Sequence, residues 1–255
     1  MIERVEALLA ELDQQQSRDR EVDTAFKDYE IYLRGGQRDL AADALRRCVE
    51  AAEEKGEYRR LYAQLEARLL RRARIELEIG GQPLWVVGLD AMVIGRDPDC
   101  EMIVRGPSVS RRHARILRAE GALWLEDAGS RNGTLLGGLA LGGRVPLPRS
   151  AEIGLGESAA IAVERIGAAQ LSLRVTRGMD RDKRLVLVEP SEPLELPAVD
   201  PALPPLRLSF EDGRPWLAAL SGTLTLDGQR VIDVVQAIVD DELEVEGARL
   251  RVLGG

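Results

Sequence analysis

Apolar residues recur at helical spacing from Met1 to about Arg72, as in Val5, Leu8, Leu9 and Leu12 and again in Leu61, Leu65 and Leu69, and no proline interrupts them. Spacing of three to four puts each set on one face of a helix. Breaks at "RGGQRD" (34–39) and "EEKGE" (53–57) divide the stretch, because glycine adopts the backbone conformations that end helices. Residues 1–72 are therefore predicted to form an α-helical interaction domain of roughly four amphipathic helices. After Arg74 the period falls to two. "RIELEI", "LWVVGL", "AMVIGR", "HARILRA" and "ALWLEDA" are short runs rich in Val, Ile, Leu and Trp, bounded by Gly, Asp, Pro and Ser. Many such strands in succession predict a β-sandwich, placed at residues 73–167.

The last third, 168–255, continues with "LSLRV" and "RLVLV", a proline-rich stretch from Pro190 to Pro205, and then "LRLSF", "PWLAAL", "TLTLDG" and "ARLRVL". An internal repeat argues that the prolines lie inside a second domain and do not form a linker. "EGALWLEDAGSRNGTLLGG" aligns with "DGRPWLAALSGTLTLDG", so that Gly121 and Trp124 correspond to Gly213 and Trp216, and Gly133 and Thr134 to Gly222 and Thr223. The fold class expected is thus multidomain, α followed by all-β: a helical segment and two β-sandwiches.

In the helical part, Tyr32, Gly36, Ala41, Leu45 and Cys48 resemble the aromatic, turn-glycine and packing positions of a tetratricopeptide repeat. An ordinary helical hairpin accounts for the same residues. Either reading makes the segment a site for a further protein partner or for oligomerisation.

Charge narrows the partners. The chain has a formal charge of −8, which argues against nucleic acid and against anionic membrane, since both need a basic surface. Cys48 and Cys100 lack the spacing of a metal or redox pair, and the amino-terminal "MIERVEALLAELDQQQ" has neither the apolar core of a signal peptide nor a spanning segment. A cytoplasmic protein without cofactor or metal is expected. Against this acidic background, residues 105–118 hold five arginines and no acid, with the chain's only histidine among them.

That cluster includes "SVSRRHARI", preceded by "IGRDPDCEMIV" and followed by "DAGSRNGT". In this order and at these separations, the three motifs resemble the forkhead-associated (FHA) domain, a β-sandwich family that binds phosphothreonine in peptides. The resemblance spans residues 74–166. It implies that Arg96 and Ser110 contact phosphate, that Arg111 and Arg131 touch phosphate or peptide, and that Asn132 holds the peptide backbone. It also implies structural support of the site by Gly95, His113 and Gly133. The residue chemistry agrees: a phosphothreonine carries about −1.5 to −2 charges and three acceptor oxygens, which call for a charged donor fork and short neutral donors. Each residue alone has a plainer reading. Surface arginines are usually solvated, Ser110 could cap a turn, and Asn-Gly is a common hairpin turn.

The resemblance implies a partner that contains phosphothreonine, a Ser/Thr kinase or its substrate, bound by an adaptor or scaffold in kinase signalling or phosphorylation-dependent assembly. The alternative is a structural scaffold whose FHA surface binds an unphosphorylated protein. Catalysis is not expected: Ser110, His113 and Asp127 lack a nucleophile elbow, and no phosphate-binding "GxxxxGK[ST]" loop is present. The second sandwich is expected to be a degenerate FHA fold. Its counterparts of the three motifs, "LELPAVDP", "ALPPLRLSF" and "SGT", lack the arginine, serine and asparagine of the site. From 186 to 255 there are thirteen acids against five arginines, a net of −8 that would repel phosphate. Ser108, Arg131 and Gly137 are candidates for peptide selectivity, and Thr24, the only threonine before the sandwich, for an internal phosphorylated ligand.

Overall fold

The structure, a computed structural model, describes residues 2–52, 56–168 and 170–255. Three helices open it: α1 (Ile2–Arg34), α2 (Arg38–Ala51) and α3 (Gly56–Arg68). The expected four become three because nothing in the first 33 residues of helix breaks it; "RDREVDTAFKDYE" has neither glycine nor proline. Gly36, at φ +73°, makes the α1–α2 turn, while residues 53–55 of the second predicted break lie outside the described residues. Ala41, Leu45, Leu65 and Leu69 form a small core, with Tyr32 packed against it. Val5, Leu8, Leu9 and Leu12 stay exposed.

The strands begin with the hairpin β1 (Arg74–Ile79) and β2 (Gln82–Gly88). Then come β3 (Ala91–Gly95), β4 (Met102–Ile103), β5 (Ala114–Ala119), β6 (Ala122–Asp127), β7 (Thr134–Leu136), β8 (Leu139–Ala140), β9 (Val145–Pro146), β10 (Ser150–Leu155) and β11 (Ala159–Arg165). A second hairpin follows, β12 (Gln170–Arg177) and β13 (Arg184–Val188). The last group is β14 (Leu194–Glu195), the single turn α4 (Leu196–Val199), β15 (Leu206–Glu211), β16 (Arg214–Ala219), β17 (Leu224–Leu226), β18 (Gln229–Arg230), β19 (Val235–Gln236), β20 (Glu242–Val245) and β21 (Ala248–Gly254).

These strands form one sheet of twelve, in the order β18-β17-β20-β21-β1-β2-β13-β12-β11-β10-β7-β8, and two small sheets, β4-β3-β5-β6-β9 and β14-β15-β16-β19. The pairing crosses the boundary expected at 167/168. The β12–β13 hairpin pairs with β11 and completes the first sandwich, whereas β1 pairs with β21 at the far end of the chain. At the centre β2 and β13 run parallel, Val86 beside Val186 and Val87 beside Leu187.

Neighbouring residues on a strand face opposite ways, and here each side meets a different core. Val87, Leu185 and Leu187 join Met92, Ile116 and Ile161 in the first core. Leu84, Val86, Val186 and Val188 join Leu206, Leu217 and Leu250 in the second. The two small sheets thus cover opposite faces of the long one, and each sandwich borrows strands from the other's side of the sequence. The proline-rich stretch is folded into the second core through Leu194 and Leu196.

The second group of strands repeats the pairing of the first: β17, β18, β20 and β21 match β7, β8, β10 and β11 in order. Trp124 and Trp216 each stand three residues after a positive-φ glycine, Gly121 and Gly213. One part of the alignment shifts. Thr134 pairs with Leu155 at the end of β10, and Leu224 with Val245 at the end of β20, so the ladder equates Thr134 with Leu224 and not with Thr223.

The helices dock on the second sandwich. Asp39 accepts from the Gln236 amide at 3.0 Å and pairs with Arg214; Arg68 donates to Val239 O at 2.6 Å and meets Asp241 at 3.2 Å. Burial pushes the Asp241 carboxyl up to about 6, against the hydrogen bond from Ile238 N and the Arg38 and Arg68 charges. Folding therefore favours its protonated form. The stability it contributes is complete below its ordinary value of 3.8 and is lost as pH rises through about 6. Calorimetry between pH 7 and pH 5 is expected to show the melting temperature rising as pH falls, and Asp241→Asn to lose part of that rise.

Candidate functional site

Strand β3 ends at Gly95, and Arg96 leaves it at the loop end of the first sandwich. A Cβ on Gly95 would lie 2.1 Å from Arg111 O, so only glycine lets the serine-bearing loop cross here. Backbone hydrogen bonds then knit the two segments: Arg96 N to Ser110 O (3.1 Å), Asp97 N to Arg111 O (3.1 Å) and His113 N to Ile94 O (2.8 Å).

His113 is fully buried. Its Nδ1 accepts from Ser110 N at 3.0 Å, which leaves the proton on Nε2 to donate to Gly133 O at 3.0 Å. The imidazole thus braces the serine loop against the β6–β7 loop. The Ser110 amide is consequently committed to His113, and the hydroxyl is the donor left for a ligand. Ser110 Oγ accepts from Arg131 N at 3.0 Å, so its own proton remains free to be given away.

Asp127 shapes the β6–β7 loop by accepting from Gly129 N, Ser130 N, Ser130 Oγ and Thr134 Oγ1. Burial alone would raise its pKa, but these hydrogen bonds hold it below the ordinary carboxylate value. Its partners also dissolve any resemblance to a triad: Asp127 does not meet the His113 ring, and His113 meets the Ser110 amide, not its hydroxyl. Asn132 Nδ2 donates to Ser108 O at 2.8 Å, while Ser108 Oγ and Ser158 Oγ lie 2.5 Å apart. The serine loop is thereby tied to the β10–β11 turn.

Arg96, Ser110, Arg111, Arg131 and Asn132 all line one open cavity of about 790 Å³, together with Arg112. Gly95, His113 and Gly133 lie behind it as spacer and braces. Gly137 sits in the β7–β8 turn and does not line the cavity; the Thr24 hydroxyl bonds to Arg20 O on the exposed face of α1. The guanidinium groups of Arg96, Arg111, Arg112 and Arg131 make no hydrogen bond or ion pair among the described residues, whereas Arg105, Arg115, Arg207 and Arg251 pair with carboxylates. One acid, Asp97, shares the cavity. Four like charges against one acid repel one another, and an anion relieves them.

Arg112, Ser158 and the Asp180 described below were not singled out in the sequence. Arg112 is the second of an Arg-Arg pair; Ser158 lies 50 residues from Ser108 with no local signal. No cluster of three or more His, Cys, Asp or Glu suited to a metal occurs among the described residues. No helix among them is long and apolar enough to cross a membrane.

The loops of this β-sandwich thus gather unpaired guanidinium groups around a free hydroxyl. Residues 92–156 match the family model of the FHA domain, and the chain carries such a domain there. Similar solved structures include an FHA domain from work on phosphothreonine-dependent FHA interactions, 25% identical over 36% of this chain and 96% of that chain, TM-score 0.29. The FHA domain of the CT664 protein of Chlamydia trachomatis is 25% identical over 32% of this chain and 89% of that chain, TM-score 0.27. EmbR of Mycobacterium tuberculosis, solved with a low-affinity phosphopeptide, is 19% identical over 60% of this chain and 49% of that chain, TM-score 0.27. No curated protein matches the chain.

Proposed function

We propose that this protein is a phosphothreonine-peptide-binding adaptor that acts in Ser/Thr-kinase signalling or phosphorylation-dependent assembly. The observation that carries this reading is the cavity itself, where four unpaired guanidinium groups stand around a Ser110 hydroxyl whose proton is uncommitted. Arg96 supplies the fork and Ser110 the short donor, with Arg111 and Arg131 at the edge of the phosphate. Asn132 holds the serine loop now and offers its carbonyl oxygen to a peptide amide.

The second sandwich, built from residues 74–88 and 194–254 with one face of β13, is read as a degenerate FHA fold that places the helices. Its shortened loop carries Ser221, whose hydroxyl donates to Glu246 at 2.8 Å, and a carboxylate there disfavours phosphate. A further protein partner is assigned to the helical domain, whose α1 leaves Val5, Leu8, Leu9 and Leu12 exposed.

A phosphothreonine-peptide library tests the reading. The 255-residue chain is expected to retain phosphorylated members and to release them after phosphatase treatment, with retention falling as salt rises. Equal retention of unphosphorylated members would instead favour the scaffold that binds unmodified protein.

A further inference from the structure

The cavity wall that carries Ser108 and Ser110 does not stand on the FHA core alone. Asp180 lies in the β12–β13 turn, outside residues 92–156, and its side chain is 7% exposed. Its Oδ2 accepts from Arg105 N at 2.5 Å, and its Oδ1 from Arg105 Nε at 3.0 Å and Nη2 at 2.7 Å. Three donors from one residue on one carboxylate form a bidentate, charge-assisted clamp. Arg105 opens the loop that continues through Gly106, Pro107 and Ser108 to Ser110. The same turn is seated at two more points: Lys183 Nζ donates to Ile103 O at 3.1 Å, and a Cβ on Gly178 would lie 3.2 Å from Ser158 O.

We propose that Asp180 is a positioning residue of the phosphothreonine site, holding Arg105 so that the loop presents the Ser110 hydroxyl and the Arg111 guanidinium at a fixed separation from Arg96. This rests on the function proposed above. Arg105 itself is kept from the ligand: it lies in the five-arginine stretch, yet its side chain is spent on Asp180 and it does not line the cavity. The clamp joins the site to the hairpin that both cores share, so the receptor depends on strands that follow the FHA core in the sequence. Burial pushes the Asp180 carboxyl up, but the hydrogen bonds and charge of Arg105 hold it below its ordinary pKa.

The test uses the whole 255-residue chain and a phosphothreonine peptide selected by the wild type. Asp180→Ala is expected to weaken binding about tenfold, equivalent to one hydrogen-bonded charge, and to speed hydrogen exchange at residues 105–110 while the global melting transition is retained. Arg105→Ala, which keeps its backbone amide on Asp180, is expected to lose less. The double variant should bind no more weakly than Asp180→Ala alone, because Arg105 acts only through its partner. Additive losses would overturn the proposal by placing Arg105 on the ligand, and so would unchanged affinity in Asp180→Ala. If the wild type retains no phosphothreonine peptide, the proposed function fails and this role with it; faster exchange in Asp180→Ala would then show a clamp that is only structural.

Discussion

A chain ending at residue 167 is expected not to fold, although it contains the whole FHA match at 92–156. Truncation there removes β12 and β13, and with them Leu171, Leu173, Val175, Leu185 and Leu187 from the first core. At about 1.5–3 kcal/mol for each buried aliphatic side chain, the loss is roughly 8–15 kcal/mol. That equals the whole stability of an ordinary domain, about 5–15 kcal/mol. The truncation also uncovers Ile75, Leu77, Leu84 and Val86, whose partners lie in the second core. The truncated chain should therefore be recovered as aggregate or without a cooperative melt, while the full chain melts with both sandwiches coupled through β2 and β13. A soluble, monomeric and cooperatively melting chain ending at residue 167 would show instead that the β1–β2 hairpin can take the place of β12–β13.

The same hairpins mark where the sequence was legible and where it was not. Alternation in "RIELEI" and "HARILRA" announces strands with one wet face, and the structure has strands there. What local pattern cannot say is which sandwich a hairpin joins, because both are edged by equivalent partners, β11 and β21. A signal was nonetheless present: "LWVVG" and "LVLV" are continuously apolar, the mark of strands buried on both faces. The helix count failed for a related reason, since an uncapped polar stretch extends a helix as readily as it ends one. The candidate site was more legible because its chemistry is carried by residue types at loop positions. Arg96, Ser110, Arg111, Arg131 and Asn132 meet at one cavity. The donor geometry was not legible: the use of the Ser110 amide by His113 and of Arg105 by Asp180 depends on contacts 3 and 75 residues apart in the chain.

Arg96→Ala is expected to weaken binding of a phosphothreonine peptide about a hundredfold and to leave the fold intact. The magnitude follows from losing a bidentate, doubly charge-assisted contact, about 2–3 kcal/mol. The fold is spared because Arg96 is exposed and its side chain bonds to nothing among the described residues, while its backbone bond to Ser110 O survives substitution. Arg96→Lys should recover only part of the loss, since an ammonium keeps the charge but not the fork. Ser110→Ala should cost less, about tenfold, because one neutral donor is removed; it also strips Arg131 N of its partner. Arg115→Ala, which breaks the pair with Glu126 away from the cavity, should leave affinity unchanged. Isothermal titration of the four variants separates a single dianion receptor from a diffuse basic patch: a patch would lose similar affinity with Arg96→Ala and Arg115→Ala, and Lys would replace Arg96 without loss.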